Sequence, residues 1–256
     1  MTQDLVIGNL TLVHDTDPAQ WIVERVRNFE HDVGSVLPEG FEAYARVFHP
    51  AGRVVPDPTV GDREELVPWH EVAEANSRVT HPGMEWTGIT GSWRYFHGDS
   101  QPGLWDIEPH VGSLPVTHAA RLAGELASHT VTPEQCWFAV WEGYGALLVD
   151  RKAKLAKIKV PKIKLPQRDM FLLSGPLSAV TTSLEPSALG QLANLWWPQD
   201  RAWCVASEID LMTTYVGGTV RCIEDLLGDD VLEVMPVSID QRVSWDSDEV
   251  NPPPTR

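Results

Sequence analysis

Glu208 and Asp210 stand two residues apart in WCVASEIDL. In an extended strand over 202–210 that spacing puts both carboxylates on one face, with Ala202, Cys204 and Ala206 behind them. Paired carboxylates can do general acid–base work or hold Mg²⁺ or Ca²⁺. They can equally close a salt bridge, with Arg201, Arg46 or Arg94 as the candidate partner. The flanking sequence adds the rings of Trp196, Trp197, Trp203 and Tyr215. Aromatic residues of this kind are favoured interface anchors. These four, with Glu208 and Asp210, form the candidate partner-binding set. An alternative takes Glu142, Glu208 and Asp210 as the acids of a hydrolase or carbohydrate-acting enzyme. Trp137, Trp141, Trp196, Trp197 and Trp203 would then be its sugar platforms.

No complete motif selects a reaction. Seven histidines (His49, His70, His81, His97, His110, His118, His129) fall between 49 and 129, without HExxH or a Cys/His zinc spacing. There is no GxSxG nucleophile elbow. No metal and no cofactor is expected. Cys136 and Cys204 sit in apolar strand patterns, which suits buried hydrophobes better than nucleophiles. Tyr215-Val216-Gly217-Gly218-Thr219 leads into a helix N-terminus, a place where an anion can bind. It lacks the Walker lysine and the dinucleotide spacing, and a tight turn with an N-cap explains it as well.

The lysines carry a second kind of chemistry. All six, Lys152, Lys154, Lys157, Lys159, Lys162 and Lys164, lie in RKAKLAKIKVPKIKLPQR at 151–168. With Arg151 and Arg168 the strip holds no acid. The other 12 basic residues are all arginine and face 36 acidic ones. The protein is an acidic body with one basic strip. KIKVPKIKLP alternates lysine with Ile, Val or Leu, and its prolines exclude a helix. The strip reads as an exposed edge strand or loop insertion. Either it lies over the protein's own acids as an aggregation guard, or it is an anion-binding arm.

The net charge of −16 argues against a general nucleic-acid binder. Three cysteines at unrelated spacings argue for reduced thiols in a cytoplasm. No apolar run reaches the roughly 18–20 residues of a membrane span. The 11 tryptophans can fill a core or line a groove.

These groups need a scaffold. Asp17-Pro18-Ala19-Gln20 opens a helix whose stripe Ile22, Val26, Phe29 and Val33 ends at Gly34. FEAYARVF, CWFAVW, MFLLSGP and VLEVMPV read as strands, and helices are expected from Pro68, Ser113 and Thr219. CWFAVW is apolar on both sides, as in a strand covered on both faces. The expected fold is α+β, a mixed, mostly antiparallel sheet with helices packed on it. Residues 1–240 form one globular unit with a sub-boundary near 110. The tail 246–256, polar and proline-rich, is expected to be disordered.

LWWPQDRAWCVASEIDL and TYVGGT, over Asn194 to Leu227, resemble segments of a group of actinobacterial proteins of unknown function. CWFAVWEGYG at 136–145 and FEAYARVFHP at 41–50 are similar to other segments of that group. This resemblance implies no activity, cofactor or catalytic residue. A fold-level likeness over 200–228 is to SMI1/KNR4-type immunity domains, which bind partners. The expectation is a non-enzymatic cytoplasmic protein that presents an acidic, Trp-rich surface to a protein partner, with toxin neutralisation as a special case. A third reading makes 151–168 an adaptor arm for an anionic partner.

Overall fold

A computed structural model describes residues 5–59, 61–96, 98–144, 160–184 and 191–255. In chain order the strands are β1 (Val6–Ile7), β2 (Leu10–Leu12), β3 (Ala43–Phe48), β4 (Ala51–Val55), β5 (Arg63–Val67) and β6 (Cys136–Trp141). They continue with β7 (Ile163–Leu165), β8 (Arg168–Gly175), β9 (Leu195–Pro198), β10 (Cys204–Ser207), β11 (Thr213–Gly218) and β12 (Val234–Val237). The α-helices are α1 (Gln20–Val23), α2 (Trp69–Ala75), α3 (Trp86–Thr90), α4 (Val116–Ala127) and α5 (Val220–Leu227). No described helix is long and apolar enough to cross a membrane.

The fold is α+β. Ten strands form one antiparallel sheet in the order β1-β2-β8-β6-β9-β10-β11-β3-β12, with β7 on β8. Alternation along each strand sorts side chains to two faces. Val47, Phe138, Val140, Leu173, Trp196, Val205 and Val216 enter one core, covered by the apolar stripes of α4 and α5. Tyr44, Ala139, Leu172, Trp197, Cys204 and Tyr215 enter the core on the opposite face, under Trp21 and Ile22 of α1. β6 is therefore buried on both faces, as CWFAVW suggests. Phe48, at the end of β3, joins a third cluster built on the β4–β5 hairpin, α2 and α3. There Phe48, Trp69, Trp86 and Trp105 contact in series, with centroids 5.0 to 5.3 Å apart.

Several expectations are corrected. The helix expected to run from Asp17 to Val33 is a 3-10 turn, Asp17–Ala19, followed by the single turn of α1. Arg27 explains the break: its guanidinium binds Asp32, Glu39 and Asp240, which a straight helix would hold apart. The chain turns back through Phe29 and His31, both at positive φ (51° and 57°). The strand expected over 202–210 stops at Ser207, leaving Glu208 and Asp210 in the following turn.

The lysine strip is described only from residue 160. Val160 and Ile163 are buried, and β7 pairs with β8 through a two-residue turn at Pro166-Gln167. Gln167 takes φ 58° after a proline, as a type II turn requires. Lys162 binds Glu142 and Lys164 binds Asp169. This part of the strip is an edge strand neutralised by the protein's own acids. Lys152, Lys154, Lys157 and Lys159 lie outside the described residues.

The tail expected to be disordered is docked through residue 255. Asp248 is its anchor: its carboxylate faces His81 Nε2 at 2.9 Å and accepts from the backbone N–H of Asn251 (2.9 Å) and Glu85 (3.3 Å). Asn251 is buried and donates to Val79 O, and Thr255 bridges to Ser92. Local hydrogen bonds stabilise this polar segment where composition forecasts none. Burial opposes ionisation of Asp248, but the hydrogen bonds from Asn251, Glu85 and His81 prevail and hold its carboxyl below the usual range. A depressed carboxyl stabilises the fold above its unfolded-state value and loses that contribution as pH falls through its folded-state value. Tail docking should therefore weaken below roughly pH 4. Asp248→Ala should cost about 2 kcal/mol and expose residues beyond Ser247 to protease at neutral pH. Unchanged cleavage and melting temperature in that variant would refute the anchoring role.

Candidate functional site

The third cluster and the α1 side of the sheet do not close on each other. Between them runs a groove of about 910 Å³. The loop carrying Phe29, Glu30 and His31, with Arg242 and Val243 bonded beside it, forms one wall, and Trp93, Phe96, Trp245 and Asp246 form the other. Trp69, Glu85, Trp86 and Met212 line its deep side, and Arg168, Glu208 and Asp210 one end.

At that end Arg168 Nη2 donates to Glu208 Oε1 (2.8 Å) and Asp210 Oδ2 (3.0 Å). The guanidinium lies 5.6 Å from the Trp141 ring and 5.9 Å from Phe29. The two carboxylates are brought together from a turn rather than a strand face, as the two arms of one ion pair. The partner is Arg168, from the end of the lysine strip. Of the three arginines weighed from sequence, Arg46 binds Glu85, Arg94 reaches Asp99, and Arg201 lies over Trp21.

The other candidate residues are placed elsewhere. Trp196, Trp197, Trp203 and Tyr215 are core residues and cannot meet a partner. Strand alternation sends Trp196 onto Trp203 (5.3 Å) on one face and Trp197 onto Trp21 (6.3 Å) on the other. Trp203 Nε1 also donates to Leu126 O at the end of α4. Gly217 and Gly218 belong to β11 and form no turn. Thr219 caps α5, and Glu42 accepts from Val220 N–H, so the protein's own carboxylate sits at that helix N-terminus. Among the described residues no group of three His, Cys, Asp or Glu is placed to hold a metal. His49 is buried between His110 O and Thr214 Oγ1, and burial pushes it down to about 3, so it stays neutral. Burial pushes the Cys136 and Cys222 thiols up to about 12 and raises Cys204 too, which leaves them protonated and weak as nucleophiles.

Sequence reasoning missed the aromatic wall. Trp93 and Trp245 meet edge to face at 5.2 Å, and Trp245 is 66% exposed. A tryptophan in the otherwise polar SWDSDEV was the available signal. Glu85 was missed as well. Its Oε1 accepts from Arg46 Nη2 (2.9 Å) and Ser247 Oγ (3.0 Å). Burial raises the Glu85 carboxyl, while Arg46 and Ser247 pull it back. Arg46 is itself enclosed, donating also to Pro82 O and Met84 O (both 3.0 Å). Removing one partner of such a pair strands the other charge, so Arg46→Met should cost about 3–5 kcal/mol. Adding Glu85→Gln should recover part of that loss in a urea melt. A double variant no more stable than Arg46→Met would show that the pair is not the cause.

The chain matches no protein-family model, no curated protein and no solved structure with which it was compared.

Proposed function

We propose that this chain is a non-enzymatic binding protein that takes a protein partner into the groove. The exposed Trp245, packed edge to face on the half-buried Trp93 of the groove wall, carries the reading. Seven of the 11 tryptophans are buried, so aromatic content alone does not mark a surface. Trp245 is the one tryptophan among the large hydrophobics left exposed, and it adjoins the acids Asp246 and Glu85 in one concavity. Rigid aromatic anchors in a groove are what partner recognition uses. The acidic body would speed capture of a basic partner, toxin neutralisation being a special case. A reducing cytoplasmic setting belongs to the reading, supported by three unpaired, buried cysteines.

The carbohydrate-acting alternative gains one observation, that Glu208 and Asp210 open onto the aromatic-lined groove. Arg168 weighs against it, since both acids are already held by one guanidinium. The adaptor reading loses Lys162 and Lys164, which are engaged internally.

A photo-crosslinking residue at position 245 tests the proposal in cells. The control carries it at Val131, which is 88% exposed and outside the groove. The expected result is a discrete protein adduct from position 245 alone. The same adducts from both positions, or none from 245, would reject groove binding. Turnover of an oligosaccharide, lost in Glu208→Gln, would instead favour the enzyme.

A further inference from the structure

Resting on the groove-binding reading, we propose that the groove recognises an arginine side chain displayed by the partner. The lining carries five carboxylates: Glu85 is bound to Arg46, Glu208 and Asp210 share Arg168, Asp246 binds Arg242, and Glu30 adds a further charge, so five acids face three guanidiniums. This surplus of negative charge is set among aromatic rings whose faces are themselves electron-rich. The remaining net negative charge disfavours an anionic occupant, whereas an organic cation meets both features.

The deep side carries the Glu85 carboxylate as an acceptor. Both hydrogen bonds to the Glu85 carboxylate fall on Oε1, and Oε2 has no partner among the described residues. On the wall, Trp93 and Trp245 are inclined at 66°, so two ring planes border the same space. A guanidinium is planar, weakly hydrated and stacks on rings while its N–H groups reach carboxylates sideways. An ammonium, compact and strongly hydrated, gives up more on entering. The protein already uses this arrangement for its own arginines. Arg46 lies 4.8 Å from the Phe48 ring while bound to Glu85, and Arg168 lies 5.6 Å from Trp141 while bound to Glu208. The acidic body draws positive side chains toward the opening.

The test titrates the full chain, followed by tryptophan fluorescence, with an eight-residue Gly/Ser peptide carrying two arginines. Matched peptides carry lysine, glutamate or citrulline, the neutral isostere of arginine. Arginine should bind about tenfold tighter than citrulline, and more tightly than lysine. Trp245→Ala and Glu30→Gln, both at exposed positions, should weaken it several-fold with an unchanged near-ultraviolet circular dichroism spectrum outside the lost Trp signal. Val131→Ala should leave it unaltered. Equal binding of the arginine and citrulline peptides, or full binding by Trp245→Ala, overturns the inference. If position 245 still crosslinks a protein while arginine shows no advantage, the inference fails and the binding role stands. If neither is seen, both fail.

Discussion

Arg46 carries a full charge into the interior, and three separate parts of the chain converge to accept it. Desolvating a guanidinium costs several kcal/mol unless every face is answered. Here the answer comes from two carbonyls and a carboxylate of the 82–85 segment, and from the rings of Phe48, Trp69 and Tyr215 at 4.8 to 5.9 Å. Among the described residues its Nε has no hydrogen-bond partner, nor has the Tyr215 hydroxyl. The sheet thus supplies the cation, the third cluster supplies the anion, and the C-terminal segment ties down that anion through Ser247 and Asp248. Apolar contact is indifferent to orientation, but this junction is directional. It fixes how the aromatic cluster stands against the sheet, and the groove is the space left between them.

The distribution of tryptophan follows from the same constraint. Three layers of core need large apolar volume, and the rings of Trp69, Trp86 and Trp105 fill the layer with no sheet of its own beyond a hairpin. Rings remain for the groove because its walls are a loop and a terminal segment, which cannot bury them. His49, His118 and the three cysteines lie in the core, as the apolar setting of Cys136 and Cys204 suggests. Burial there suppresses the charged state that catalysis would need.

Much of the fold was legible because it rests on local patterns. CWFAVW, MFLLSGP and VLEVMPV are strands, and Thr219 caps a helix that Gly228 ends. What failed depended on distant partners. The stripe Ile22–Val26–Phe29–Val33 has helical spacing, yet Arg27 reaches Glu39 and Asp240, and no periodicity encodes that pairing. The 246–256 tail looked unable to pack because packing was equated with apolar burial, whereas Asp248 and Asn251 dock it on His81, Glu85 and Val79 through polar atoms. In the candidate site, Glu208 and Asp210 meet, but from the turn after Ser207 rather than on one strand face. The guanidinium between them was not readable, because Arg168 is 40 residues away in sequence. Trp196, Trp197 and Trp203 drew attention through density alone. Alternation in a sheet covered on both faces buries such residues whichever way they point.

The C-terminal segment has a mechanical consequence. It first runs beside the loop wall, where Val243 N–H reaches His31 O and Gly34 N–H reaches Ile239 O. It then contributes Trp245 and Asp246 to the opposite wall and fastens at Asp248, two residues later. One strap therefore spans both sides of the groove. Any occupant that favours the fastened strap holds it in place, and by thermodynamic reciprocity releasing the strap weakens that occupant by the same factor. Under the proposed groove binding, tension on this C-terminal segment and occupancy of the groove become two readings of a single equilibrium.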